Sequence, residues 1–220
     1  MQFDELVERA RGLVTPGARA VLGIAGSPGA GKTTLAVALV QALAGDPSAG
    51  GGWVAHVPMD GYHLADVELT RLGRLDRKGA PDTFDAAGYA ALIRRLRSDP
   101  DEVVYAPAFE RVLEQPIAGS IPVGPEVRLV VTEGNYLLLD RGDWALVRPE
   151  LDEVWFCDLE DEERVRRLVR RHTAFGKAPE QAATWVQEVD EVNAALIATT
   201  RGAADLVVAG PALASIGGPA

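Results

Sequence analysis

Residues 21–34, Val-Leu-Gly-Ile-Ala-Gly-Ser-Pro-Gly-Ala-Gly-Lys-Thr-Thr, leave this chain few folds to choose from. An apolar run passes into Gly-x-x-x-x-Gly-Lys-Thr, and Leu35, Ala36, Leu39, Val40 and Leu43 then recur at helical spacing. A strand, a tight glycine loop and a helix in that order make a phosphate-binding loop. Gly26, Gly29 and Gly31 let the backbone around Ser27 and Ala30 turn successive N–H groups toward phosphate oxygens. Lys32 reaches the terminal phosphates, the Thr33 hydroxyl suits Mg2+, and the helix that begins with Thr33 and Thr34 adds its dipole. The expected ligand is a nucleoside triphosphate. The competing reading, a glycine-rich turn with no ligand, does not account for the strand and helix on either side.

Further along, strand-like and helix-like stretches alternate. Residues 53–57, 127–134, 151–158 and 205–209 read as strands, and 3–12, 64–72, 85–97 and 160–172 as helices. A long helix is expected at 179–200, with Ala182, Trp185, Val189, Val192, Leu196 and Ile197 along one side. A short strand at 103–105 precedes residues 107–125, whose prolines predict an irregular or hairpin excursion, and 143–147 reads as a short helix. Near-continuously apolar strands between helices predict an α/β fold: the three-layer P-loop NTPase arrangement of a parallel central sheet with helices on both faces and a small lid. Residues 1–209 form one domain in this reading, with a flexible connection at 45–52 and a flexible tail at 210–220.

The chain has 220 residues, 47% of them hydrophobic, which is enough for one substantial core. A formal charge of −10 disfavours nucleic acid and anionic membrane surfaces as partners and favours small molecules. Residues 1–11 lack the apolar segment of a leader and no run approaches a membrane span, so a cytoplasmic location is expected. Cys157 is the one cysteine, which excludes an intrachain disulfide; its apolar neighbours predict a buried strand residue. Homodimer formation is left open.

Ligands of parallel sheets bind at the carboxyl ends of the strands, where the P-loop, Asp60 and Glu133 all fall. Phosphoryl transfer needs Mg2+, positive charge around the migrating group and a carboxylate that orients or deprotonates the acceptor. Asp60, following a strand and preceding Gly61, is the candidate carboxylate, against the plainer role of a turn or cap residue. Glu133 ends a core strand as a Walker-B-like acid would, against a structural role. Arg164, Arg166, Arg167, Arg170 and Arg171 make a basic island. Arg164, Arg167 and Arg171 share a helix face and, with the loop Phe175-Gly176-Lys177, fit a lid that clamps phosphates; the alternative is a solvated face paired with Asp161, Glu162 and Glu163. Arg71, Arg74, Arg77 and Lys78 form a second basic cluster after Asp60. A regulatory GTPase is disfavoured because no Asn-Lys-x-Asp guanine motif is present, while a nucleotide-binding module without turnover remains as a rival.

The order of these motifs, from about residue 19 to 208, resembles the phosphoribulokinase/uridine kinase family, which includes bacterial pantothenate kinase. Asp60-Gly61-Tyr62 is similar to the Asp-Gly-Phe of pantothenate kinase, whose Asp is catalytic. The run Lys78-Gly79-Ala80-Pro81-Asp82-Thr83-Phe84-Asp85 resembles its Lys-Gly-Phe-Pro-Glu-Ser-Tyr-Asp, and Glu133-Gly134-Asn135 its Glu-Gly-Leu-Asn. Asp158, Arg164, Arg167 and Arg171 fall at the spacing of the uridine kinase lid, with His172 in place of Asp, and Trp185, Asn193 and Thr200-Arg201 match a C-terminal pattern of pantothenate kinase. The resemblance implies an ATP- and Mg2+-dependent kinase acting on an alcohol of a small molecule, with Lys32, Asp60, Glu133, Arg167 and Arg171 in catalysis. It also implies Arg164 and Arg167 at the nucleotide and Thr33 and Glu133 at the metal. The acceptor side departs from both relatives: Pro107-Ala108-Phe109-Glu110-Arg111 stands where uridine kinase has Tyr-Asp-Phe, and Glu110-Arg111 where pantothenate kinase has Ser-His. Tyr62, His63, Arg77, Phe109, Glu110, Arg111 and Glu114 are the candidate acceptor residues. Their mixture suits a nucleoside or sugar ahead of a pantothenate-like acceptor.

Overall fold

Five parallel strands in the order β2-β5-β1-β6-β7 form the centre of the computed structural model, which describes residues 1–45, 52–99 and 101–210. The strands are β1 (Ala20–Gly26), β2 (Val54–His56), β5 (Leu129–Glu133), β6 (Glu153–Asp158) and β7 (Leu206–Ala209). All but two ends of the expected connection at 45–52, and all but residue 210 of the expected tail, lie outside the described residues.

Strand alternation sorts the core into two layers. On one face Val21, Ala25, Val130, Val154 and Phe156 pack against α4 (Ala86–Ser98) and α7 (Glu191–Ala198), through Tyr89, Ile93, Leu96 and Ile197. On the other, Leu22, Ile24, Leu129, Val131 and Trp155 meet Leu6 and Ala10 of α1 (Phe3–Arg11) and Leu35, Leu39 and Leu43 of α2 (Lys32–Ala44). The three-layer fold expected from the alternating pattern is therefore present. Cys157 lies buried in β6. Among the described residues, no helix is long and apolar enough to cross a membrane.

Three local expectations change. The strand at 103–105 extends to β3 (Val104–Glu110) and pairs antiparallel with β4 (Gln115–Val123), apart from the central sheet. Prolines 107, 116 and 122 are accommodated because a two-stranded ribbon has only edges. The helix at 143–147 is a 3-10 turn, Gly142–Leu146. The long helix at 179–200 is divided into α6 (Pro179–Trp185), a π turn at Val186–Asp190, and α7. That wider turn shifts the buried stripe: Val192, expected inside, is 64% exposed, while Asp190 and Asn193 are buried.

The hairpin is seated on the 3-10 turn Met59–Tyr62, which follows β2 and carries Asp60. The contact is close enough that a Cβ at Gly61 would run into the carbonyl oxygen of Pro107. G61A must therefore push the hairpin away or distort the Asp60 turn, and an overpacked contact of this kind costs about 1–3 kcal/mol. Chemical denaturation is expected to show that loss for G61A, whereas G202A, where an added Cβ meets open space, should stay within about 0.5 kcal/mol of the parent.

Candidate active site

The loop between β1 and α2 has the geometry its glycines imply. Gly26, Gly29 and Gly31 sit at φ 143°, 80° and 93°, values at which a side chain would be strained. Gly31 is the N-cap of α2 and provides no side-chain cap, so the first amides of that helix are free to serve an anion. Lys32 Nζ donates to the Ser27 carbonyl at 3.0 Å, curling back over the loop. Burial lowers the Lys32 pKa, opposed mainly by the charge of Glu133.

Glu133 ends β5 only 4% exposed, and its Oε1 accepts from the Thr33 hydroxyl at 3.0 Å. Burial, reinforced by the nearby Asp60 charge, raises its pKa to about 7. A hydroxyl and a carboxylate touching beside a phosphate loop are hard oxygen donors, the set that Mg2+ takes from protein when phosphates and water complete its shell. These residues fit that ion.

Asp60 faces the same space, with Arg111 from the end of the hairpin 3.6 Å away. The cleft beyond, about 370 Å3, is walled by His63, Lys78, Phe84, Phe109, Glu114 and Asn135, and across from them by His172, Lys177, Trp185, Asp190 and Asn193. His63 lies between Phe84 and Phe109, tilted against both, with ring centroids 3.9 and 4.7 Å away, and burial lowers its pKa. Lys78 donates to Asp66 at 2.6 Å and to the Glu114 carbonyl, and lies 5.3 Å from the Phe109 ring. Glu114 has φ 54° at the hairpin turn. A second opening of about 270 Å3 lies over Gly29, Gly31, Lys32, Thr33 and Thr34, bounded by Arg111, Arg167 and Arg171. The two lid arginines thus reach the phosphate side. The Arg171 side chain has no hydrogen-bond or ion-pair partner among the described residues and borders both spaces.

A protein from Schizosaccharomyces pombe provisionally named uridine kinase C227.14 is 32% identical over 212 residues, covering 94% of this chain and 89% of that one. The chain belongs to the phosphoribulokinase/uridine kinase family of P-loop kinases. The crystal structure of a Silicibacter sp. TM1040 protein, provisionally described as a fructose transport system kinase, matches with TM-score 0.83 and 36% identity over 94% of this chain and 99% of that one. Pantothenate kinase of Nocardioides sp. is 33% identical over 118 residues, 54% of this chain and 35% of that protein. No protein-family model matches. As a family member the chain is a small-molecule kinase with an ATP-binding P-loop fold.

Several residues expected in the kinase site are placed differently from one another. Arg164 does not border the phosphate opening but, with Ser27 and Ala30, lines a third opening of about 380 Å3 on the other side of the P-loop: it is 2% exposed, donates to the Pro28 carbonyl at 3.2 Å and pairs with Asp161 and Glu191 at 3.0 and 2.7 Å. Helical spacing puts it with Leu168 on the stripe that packs against the P-loop, where an added Cβ at Gly29 would meet both residues. Phe109, near the end of β3, and Arg111, the first turn residue after it, line the cleft, whereas Glu110 does not, and its carboxylate accepts from the Val112 amide at 3.0 Å. Arg77 pairs with Asp82 at 2.9 Å on the surface. Tyr62 turns into the core beside Tyr89, centroids 5.5 Å apart. Conversely, Asp66, His172, Trp185, Asp190 and Asn193 line the cleft without having been among the expected site residues, and Lys78 does so from the second basic cluster. His172, Trp185 and Asn193 carried a signal in the motifs they belong to, whereas Asp66 and Asp190 had none.

The raised Glu133 pKa ties ligand-free stability to pH. Unfolded, this group titrates near 4.3; folded, near 7. The protonated form is tolerated in the fold, so stability is fully present below about pH 4 and declines as pH rises toward 7. E133Q is always neutral. Without nucleotide its thermal stability should equal the parent's near pH 4.5 and exceed it above pH 7 by on the order of 1–2 kcal/mol, after allowing for lost attraction to Lys32. Melting curves from pH 4.5 to 8 check this.

Proposed function

We propose that this chain transfers the γ-phosphoryl group of ATP to a hydroxyl of a nucleoside or sugar. The observation that carries the reading is the meeting of Asp60 with Lys32, Thr33 and Glu133 at the inner end of a cleft whose outer walls combine aromatic rings with hydrogen-bonding side chains. The P-loop amides and Lys32 hold the β- and γ-phosphates, and Arg167 and Arg171 close from the lid side over the migrating group. Thr33 and Glu133 would hold Mg2+, which would supply charge neutralisation. Asp60 accepts the acceptor's hydroxyl proton as the new O–P bond forms and the bond to the ADP oxygen breaks. Arg111, paired with Asp60, keeps that carboxylate directed at the cleft.

The acceptor preference rests on the cations nearest Asp60: Arg111 is paired with Asp60, and Lys78 with Asp66 and the Glu114 carbonyl. A neutral polyol leaves both pairs intact, whereas the carboxylate of pantothenate would have to compete for them or turn to Arg171 or Lys177 at the cleft's border. Aromatic walls around His63 offer stacking to a sugar face or a base.

With Mg-ATP and a panel of uridine, cytidine, D-ribose, D-fructose, D-glucose and pantothenate, at least one neutral member should stimulate ADP release more than about tenfold. D60N should then lose roughly a hundredfold in kcat while the KM for ATP stays within about threefold of the parent. Stimulation by pantothenate alone would reassign the acceptor, and no stimulation by any member would favour a nucleotide-binding module.

A further inference from the structure

The π turn at Val186–Asp190 carries an unfavourable arrangement. Its backbone hydrogen bonds span five residues where α geometry spans four, so the residues after it lag around the helix axis. An apolar side chain, Val192, is left 64% exposed, and a carboxylate, Asp190, is held at 8%. Burial energetics favours the reverse on both counts. Wide turns of this kind within α-helices are rare and frequent at functional sites. What this one achieves is to aim a carboxylate into the wall of the 370 Å3 cleft.

The neighbouring polar groups are already engaged. Asp190 Oδ2 is 2.8 Å from His172 Nε2. Asn193 Nδ2 and the Tyr136 hydroxyl both donate to the Gly79 carbonyl, at 3.4 and 2.5 Å. Lys177 lies over the Trp185 ring at 4.9 Å. Asp190 Oδ1 has no hydrogen-bond partner among the described residues. It is an open anionic acceptor in an enclosed polar cleft, held in place through the other oxygen by His172.

Resting on the acceptor-kinase reading above, we propose that Asp190 is the residue by which the cleft selects its acceptor: Oδ1 takes a hydrogen bond from a second hydroxyl of a neutral polyol, distinct from the hydroxyl offered to Asp60. A donor-bearing sugar or ribose satisfies this carboxylate; an anionic group placed there is repelled, and an acceptor lacking that hydroxyl leaves a buried charge unpaired. His172 is a positioning residue that fixes the carboxylate's orientation.

The test compares the parent with D190N, which keeps a hydrogen bond to His172 but turns an amide N–H2 toward the cleft, and with D190S, which removes the charge with less bulk. Both are measured by ADP release against the panel and by tryptophan fluorescence titration of the same compounds without turnover. For the best neutral acceptor, KM should rise about 10- to 100-fold in D190N while the KM for ATP moves less than about twofold. One monodeoxy analogue of that acceptor should show the same loss with the parent and no further loss with D190N, because the two changes remove one contact. An unchanged acceptor KM in both variants, a parallel rise in both KM values, or losses that add for every deoxy analogue would overturn the assignment. If the parent turns over no panel member, the kinase reading fails on its own. Titration then decides on Asp190: polyol binding weakened in D190N supports it, and equal or absent binding overturns it.

Discussion

β1 is buried along all seven of its residues and is hydrogen-bonded on both sides, to β5 and to β6. A strand buried on both faces and paired on both edges has its position closely fixed, and so has its exit point. The P-loop begins there. β5, paired with β1 from Ala20–Leu129 through Ile24–Glu133, ends beside it and delivers Glu133 next to Thr33. β2, paired in turn with β5, delivers the Asp60 turn. The three catalytic candidates are thus located by sheet register rather than by flexible loops, and hydrogen-bonded register tolerates no slip when both faces are buried.

Around that point the chain holds opposed charges in a poorly hydrated space. Lys32 and Glu133 are each driven toward neutrality by burial and back toward charge by one another. Neither is fully satisfied in the absence of ligand. Phosphates and a divalent cation would supply the missing countercharge, so ligand binding and folding stability are thermodynamically linked here. The same low dielectric that makes the free site unfavourable strengthens the electrostatic stabilisation of a migrating phosphoryl group.

The arginine-rich helix after β6 is anchored from two directions. Through Arg164 the helix α5 (Asp161–Ala174) is joined to the P-loop backbone at Pro28 and to Glu191 at the start of α7. Through His172 it is joined to Asp190 in the π turn. The base of α5 is therefore fixed to the P-loop and its tip to the π turn at the cleft. The helix joins these two regions, with Arg167 and Arg171 bordering the opening over the P-loop.

The amino-acid pattern was sufficient for the P-loop, the parallel sheet and the placement of Asp60 and Glu133, because each follows from local periodicity: an apolar strand, a glycine loop, an acid at a strand end. It also predicted the arginine-rich helix after β6. What it could not decide was which of several similar side chains face inward. Arg164, Arg167 and Arg171 share a helix face on paper, yet packing of α5 against the bare backbone of Gly29 buries the first and leaves the others at the phosphate opening. Glu110 and Arg111 are equally plausible until the hairpin leaves one outside the cleft and places the other in its wall. Asp190 reaches the cleft at a turn of helix that is wound wide, a departure that the segment's regular apolar spacing does not signal. Local sequence determined the elements and the phosphate chemistry; tertiary packing decided the acceptor wall, since side-chain direction there depends on neighbours that the chain's own periodicity does not encode.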